Sequence, residues 1–423
     1  MSLSENTQDF ISRCVTGQDA WSTLQRLCLD VGTRISGSDE ERRATDLIVS
    51  ELAGCGLETT VEEHRFTGWK PGACRVTVRE GGREWTIPSH PLGWSPGRST
   101  EAPVVDVGRG GKADFRRLDV RGKIVLVCSE NPPEEKDIHR SHKYIYAEEA
   151  GAAGFLFYDK RPGGLVAMGS ARLEARPGTI PAAGISYENA VSLGAAAGKA
   201  TAAIADASTI GDRTTWNGIG LKRGTSDEEI VVCGHVDSWF SQGAVDNGTG
   251  VSSVAALARL LSRYPLRRSL RFVSLGSEEV GLIGSRAYVA RHPDLSKVVL
   301  VMNLDCPAIR DGVLTVYTNE TPALHAFMDE IVKGLHLAVD VTDGLSRYSD
   351  HMSFRAAGVA GVQLLAGSGT SGFGHTEYDS LDKVRPQDFT IPLLVAGAAI
   401  LECAQRDTRF PLPTPRPPGS HDA

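Results

Sequence analysis

At 423 residues, with 41% hydrophobic and 23% charged residues, the chain has an ordinary globular composition and is long enough for two domains. Its net charge of −7 lacks the basic footprint of a nucleic-acid binder, so no nucleic-acid partner is expected. The opening MSLSENTQDF has no basic segment leading into an apolar one, and the longest apolar stretch, Ile391 to Leu401, is too short to span a bilayer. No membrane partner is therefore expected, and that stretch reads as a core helix.

Along the chain, Asp19 is expected to cap a helix through Trp21, Leu24, Leu27 and Cys28. A second helix enters through Ser38-Asp39 and carries Ala44, Leu47, Ile48 and Leu52 at helical spacing. Gly54-Cys55-Gly56 stops it, and a strand follows around Thr59 to Phe66. Composition shifts near Trp69, and short strand signals separated by turn residues then run to about Thr215. They include Cys74 to Val78, Val104 to Val107, Lys123 to Cys128, Gly154 to Tyr158 and Ile180 to Ile185. From Glu228 the pattern becomes alternating strand and helix: strands at 230–233, 270–275 and 298–304, and a helix at 252–261. This predicts an α/β fold with a mostly parallel-stranded mixed sheet flanked by helices. The implied division is a discontinuous catalytic domain, 1–69 and 216–410, a β-rich insert, 70–215, and a proline-rich disordered tail, 411–423. The eight cysteines stand singly, with no CxxC pair, and are expected to be reduced and mostly buried in a cytoplasmic protein.

Metal-type residues cluster just beyond the strands of the second half. They are His235 and Asp237, then Asp246, the adjacent pair Glu278-Glu279, Asp305 and His375. Ligands bind outside the carboxyl ends of strands in open α/β sheets, which is where these residues fall. Any one of them alone reads as a solvated loop residue; the joint pattern does not. Imidazole with carboxylate favours zinc. Two zinc ions about 3.5–4 Å apart require a shared carboxylate, and an adjacent acid pair can divide between holding metal and accepting a proton. The bland alternative for that pair is an acidic turn at a helix start.

The ordered motifs GHVDSW, GAVDNGTG, SLGSEEVGLIGS, NLD, SDHMSF and GHTEYDS resemble those of the co-catalytic zinc exopeptidases of metallopeptidase family 28, over about residues 225–405. By that resemblance His235, Asp246, Glu279, Asp305 and His375 are the metal ligands, with Asp246 bridging two zinc ions per chain. Cobalt or manganese could substitute. Glu278 is implied as general base, and Asp237 as the residue that orients His235. Residues 70–215 resemble the protease-associated (PA) insert of many relatives, on DVRGKIVLV, GAAGF and IPAAGI, which implies a non-catalytic domain over the cleft. His90, His139 and His142 within it are expected to be structural or solvated. Where several relatives carry an aromatic before the last histidine, this chain has Gly374.

The reaction these features predict is removal of terminal residues from short peptides or peptide-like amides, most simply by an aminopeptidase. A dipeptidase, a carboxypeptidase and a small-molecule amidase stay open, since Arg347 and Tyr348 could bind a substrate carboxylate. Phe373 is expected to be the specificity contact, in a pocket wall formed by 366–374. A non-catalytic binding protein would be expected to lose ligands, and a glutaminyl-cyclase relative to bind one zinc; the complete set opposes both. Homodimer formation is allowed for. Gly93-Trp94-Ser95-Pro96-Gly97 fits the serine-hydrolase GxSxG pattern, but Pro96 cannot lend the backbone N–H such a site needs. Gly108 to Lys112 lacks phosphate-loop spacing.

Overall fold

A computed structural model describes residues 3–14, 18–135, 138–173, 175–367 and 373–412. Positions 413–423 of the expected tail, and 368–372 of the expected pocket wall, lie outside them.

The first sheet takes its strands in the order Glu58–Lys70, Thr209–Lys222, Ser269–Leu275, Glu229–His235, Val298–Leu304, Gly361–Ala366, Leu314–Tyr317, Asp340–Thr342. Its centre, from Ser269–Leu275 to Gly361–Ala366, is parallel, and antiparallel pairs flank it on both sides. Alternation explains the continuous Ile-Val-Val-Cys run. Ile230 and Val232 join the core under the helices Asp39–Gly54, Gly250–Leu261 and Thr390–Gln405, while Val231 and Cys233 face a second core with Tyr288 and Phe354. A parallel strand covered on both faces needs apolar residues at successive positions.

The N-terminal helices belong to this core through Phe10, Leu24, Ile48 and Leu52. Asp19 lies inside the first turn of the helix Gln18–Arg26 and pairs with Arg259 at 2.9 Å, rather than capping it. Beyond Arg26 the chain forms a π-helical turn, Leu27–Val31. The window Pro386–Gln405 is long and apolar enough by length and composition to cross a membrane, longer than Ile391 to Leu401 suggested. It is 72% buried inside this protein, packed against Glu5–Arg13, Gly250–Leu261 and Pro322–Gly334, as a core helix is. All eight cysteines are free, and Cys14, Cys28, Cys128, Cys233 and Cys403 are buried.

The second sheet contains only strands between Cys74 and Glu80 at one end of the chain order and Thr201 and Asp206 at the other, with those between them. Two chain crossings connect the sheets, and they pair with each other. Glu58–Lys70 runs antiparallel to Thr209–Lys222, from Glu58 opposite Leu221 to Lys70 opposite Thr209. A buried cluster seals the junction: Trp69, Trp94 and Met168 meet Trp239, Val280 and Ile283. The GxSxG look-alike is part of this junction. Ser95 is buried and its hydroxyl accepts from the Ala182 amide at 2.9 Å, so it is structural.

Candidate active site

Strand geometry brings the metal-type residues together. His235 ends its strand, Asp305 follows Val298–Leu304, and the Glu278-Glu279 loop follows Ser269–Leu275. Asp246 lies in the turn Ala244–Thr249 that opens the helix Gly250–Leu261. His235 Nε2 is 3.3 Å from Asp246 Oδ1 and 3.7 Å from Asp305 Oδ1. His375 Nε2 is 3.2 Å from Asp246 Oδ2 and 3.3 Å from Glu279 Oε2. The result is two triads, His235–Asp246–Asp305 and Asp246–Glu279–His375, whose ligand atoms lie within 4.8 Å of one another. Asp246 offers one carboxylate oxygen to each.

The charge balance shows what such a site requires. Asp237, Asp246, Glu278, Glu279, Asp305 and Asp350 crowd around the imidazoles of His235 and His375. Burial pushes the Glu278 carboxyl well above its ordinary range, and Glu279, Asp350 and Asp305 add to this against the pull of His235. Burial would lower the His375 imidazole, yet Glu279 and Asp246 outweigh it and hold it at about 10. Glu279 Oε1 is buried without a hydrogen-bond partner. Acids gathered at this cost, with an acceptor left open, fit a cation far better than an internal proton network.

The supporting residues are equally specific. Asp237 Oδ1 is 3.3 Å from His235 Nδ1, and its oxygens accept from the amides of Glu278 at 3.0 Å and Glu279 at 3.2 Å and from the Ser36 hydroxyl at 2.6 Å. Asp379 accepts from the Val245 and Asp246 amides at 2.7 and 2.9 Å and so sets the Asp246 loop. Ser349 and Gln363 donate to Asp305, and the Trp239 indole donates to Glu279 at 2.6 Å. Ser38 caps the helix Asp39–Gly54, and Glu41 in its first turn accepts from the Ser277 amide at 2.6 Å, one residue before the acid pair. Asp379 stands inside GHTEYDS and was there to be found; Ser36 and Glu41 act across some two hundred positions and carried no local signal.

A cavity of about 310 Å³ opens on Glu278, Glu279 and His375. Arg347 and Tyr348 line it, as expected. Phe373 is not among its lining residues; its ring sits under the Lys383 ammonium, 4.7 Å from the centroid. The opposite wall comes from the insert, through His139, Arg140, Ser170 and Leu173. His139, read from the sequence as structural or solvated, packs against Tyr348 with ring centroids 4.7 Å apart and the planes tilted by 36°. The insert also clasps the ligand loops. Ser170 Oγ donates to the Glu279 carbonyl at 2.7 Å, the Trp94 indole to the Val280 carbonyl at 2.9 Å, and the Met168 amide to the His375 carbonyl at 2.9 Å. His375 sits in the left-handed region at φ 57, a conformation that such clamping sustains.

Residues 218–391 match the family model described as Peptidase family M28, and residues 100–193 match the PA domain. Aminopeptidase YwaD of Bacillus subtilis (strain 168) is 27% identical over 408 residues, which cover 92% of this chain and 85% of that protein. A probable leucine aminopeptidase 2 of Arthroderma benhamiae is 29% identical over 69% of this chain, but over only 59% of its own length. Among solved structures, BSAP, a zinc aminopeptidase from Bacillus subtilis, superposes with TM-score 0.74 at 26% identity, covering 93% of this chain and 96% of that one. A peptidase M28 precursor from Shewanella amazonensis SB2B shares the fold, with TM-score 0.81 at 22% identity over 97% and 98%. The ordered motifs and the residues drawn to one sheet end fall within the span that is similar to peptidase family M28, and the insert contains the span that is similar to a PA domain.

Proposed function

We propose that the chain is a zinc-dependent aminopeptidase that removes N-terminal residues from short peptides, using two zinc ions held by His235, Asp246, Glu279, Asp305 and His375. The observation that carries this is the pair of ligand triads sharing Asp246. Zinc would supply Lewis-acid polarisation of the scissile carbonyl and a water more acidic than bulk water. The residues around it supply the rest. Glu278 faces the cavity and takes the proton from the attacking water, then returns one to the leaving amine. Asp237 fixes the His235 imidazole and, through the Glu278 and Glu279 amides, the position of both acids. The Tyr348 phenol and Arg347 stand at the cavity wall where a carbonyl or carboxylate of the substrate would lie. The PA domain narrows the cleft and excludes folded chains.

Metal analysis of the purified protein together with hydrolysis of Leu-Gly and N-acetyl-Leu-Gly tests the proposal. Expected are about two zinc ions per chain, cleavage of the free-amine peptide only, and loss of turnover on chelation. Cleavage of the acetylated peptide would move the assignment to a carboxypeptidase or amidase, and full activity with a single bound ion would remove the paired-metal reading.

A further inference from the structure

The cavity carries charges of both signs: the acids Glu278 and Glu279 and three guanidinium groups, Arg140, Arg286 and Arg347, all line it. Among the described residues none of these three forms an ion pair, whereas the buried Arg268 pairs with Glu228 at 2.8 Å. Cationic side chains without an ion-pair partner in the same cavity as two acids are a recognition arrangement for a molecule with charges of opposite sign at its two ends.

Arg140 is the best placed of them. It comes from the PA domain, and its Nε donates to the Ser170 carbonyl at 2.8 Å, which fixes the plane of the guanidinium. The group lies 5.6 Å from the Phe157 ring, a cation–π contact that supports it from behind. Gly169 beside it has no side chain to obstruct the fork. A Cβ there would stand 1.8 Å from Arg140 Nη2 and 2.7 Å from His375 Nδ1, so one small residue keeps a cation open beside a ligand loop. Beyond Arg286 and Arg347 the cleft continues between Leu282, Val289 and Met352. A volume of about 310 Å³ is at the lower end for ligand pockets, roughly 300–1,000 Å³, and suits a substrate of few residues.

We propose that Arg140, presented by the PA domain, and Arg347 at the rim bind the free C-terminal carboxylate of a di- or tripeptide whose N-terminal end lies among the acids. Short peptides with both termini free are then the preferred substrates, and the PA domain supplies a specificity-determining residue rather than a passive cover. This rests on the aminopeptidase reading above.

The test compares kcat/KM for Leu-Gly and Leu-Gly-Gly with their C-terminal amides, in the zinc-loaded full-length protein. The wild type is expected to favour the free acids by roughly tenfold or more, the usual worth of a hydrogen-bonded charge pair. In Arg140→Gln the acid-to-amide ratio should fall ~10–100-fold, mainly through KM, with Arg140→Lys intermediate. Should Arg140→Gln fail to fold, Arg347→Gln on its exposed loop carries the same expectation at a smaller, roughly 3–10-fold, change. Equal turnover of acids and amides by the wild type, or equal loss on both by the variants, would overturn the carboxylate site and leave the aminopeptidase reading standing. No turnover of either kind would overturn both.

Discussion

The adjacent acids Glu278 and Glu279 show how much one position matters. Glu279 points an oxygen at His375 and accepts a hydrogen bond from the Trp239 indole, while Glu278 faces the cavity. Glu278→Gln keeps shape and removes the proton acceptor, so turnover should fall ~10²–10⁴-fold with metal content unchanged. Glu279→Gln should lower metal content first and activity with it. The opposite pattern, read by metal analysis and single-turnover kinetics, would reverse the two roles. Asp237→Asn tests the residue behind them. The amide nitrogen would face either His235 or the amides of the acid pair, donor against donor, and zinc affinity should drop ~10–100-fold. Competition with a chelator measures it, and an unchanged affinity would reduce Asp237 to a turn residue.

At the scale of elements, helix packing sets the frame on which the site stands. Gly397 in the helix Thr390–Gln405 lies against Phe10 of the first helix, and a Cβ there would come within 2.1 Å of Phe10 Cζ. Gly397→Val should therefore cost about 1–3 kcal/mol by overpacking, unless Phe10 and its helix move away. Gly54, exposed at the end of Asp39–Gly54 with nothing within 4 Å, is the contrast. Gly54→Ala should be neutral or stabilising by up to ~1 kcal/mol. Denaturant unfolding of both variants checks the pair; equal stability of the two would discount the tight Phe10 contact. Strand positions were legible because both-face burial leaves continuous apolar runs, as in 298–304, and helix 39–54 because Ser38 caps it. The first helix and the π-helical turn at 27–31 were less so, since tertiary contacts rather than propensity shape them.

In the whole molecule, ligand loops from distant strands meet at one sheet end, and the PA domain holds them from above. Because carboxylates repel there without a cation, metal binding and folding are linked. Chelation should lower the melting temperature by several degrees and zinc should restore it, by roughly RT ln(1 + [Zn]/Kd). Calorimetry with and without chelator decides this; an unaffected melting temperature would mean that the acid cluster is held by other means. Casein should yield no internal fragments, since the insert walls one side of a cavity of only about 310 Å³; internal cleavage by clean enzyme would refute the exclusion of long chains.

The sequence by itself determined the fold class, the strand-end placement of the metal-type residues and the family resemblance, because each of these is written in local order: apolar periodicity, and motifs a few residues long. Only the tertiary structure decided what surrounds them. Ser170 bonds Glu279 and Arg140 lines the same cavity across more than a hundred positions, and Glu41 holds Ser277 across a still longer span. A side chain's role there depends on which distant backbone it packs against, which periodicity cannot express. Phe373 is the reverse case. Its neighbour His375 does reach the site, but the turn between them leaves the ring against Lys383 instead of the cavity, since side-chain direction is set by backbone angles and packing rather than by nearness in the chain.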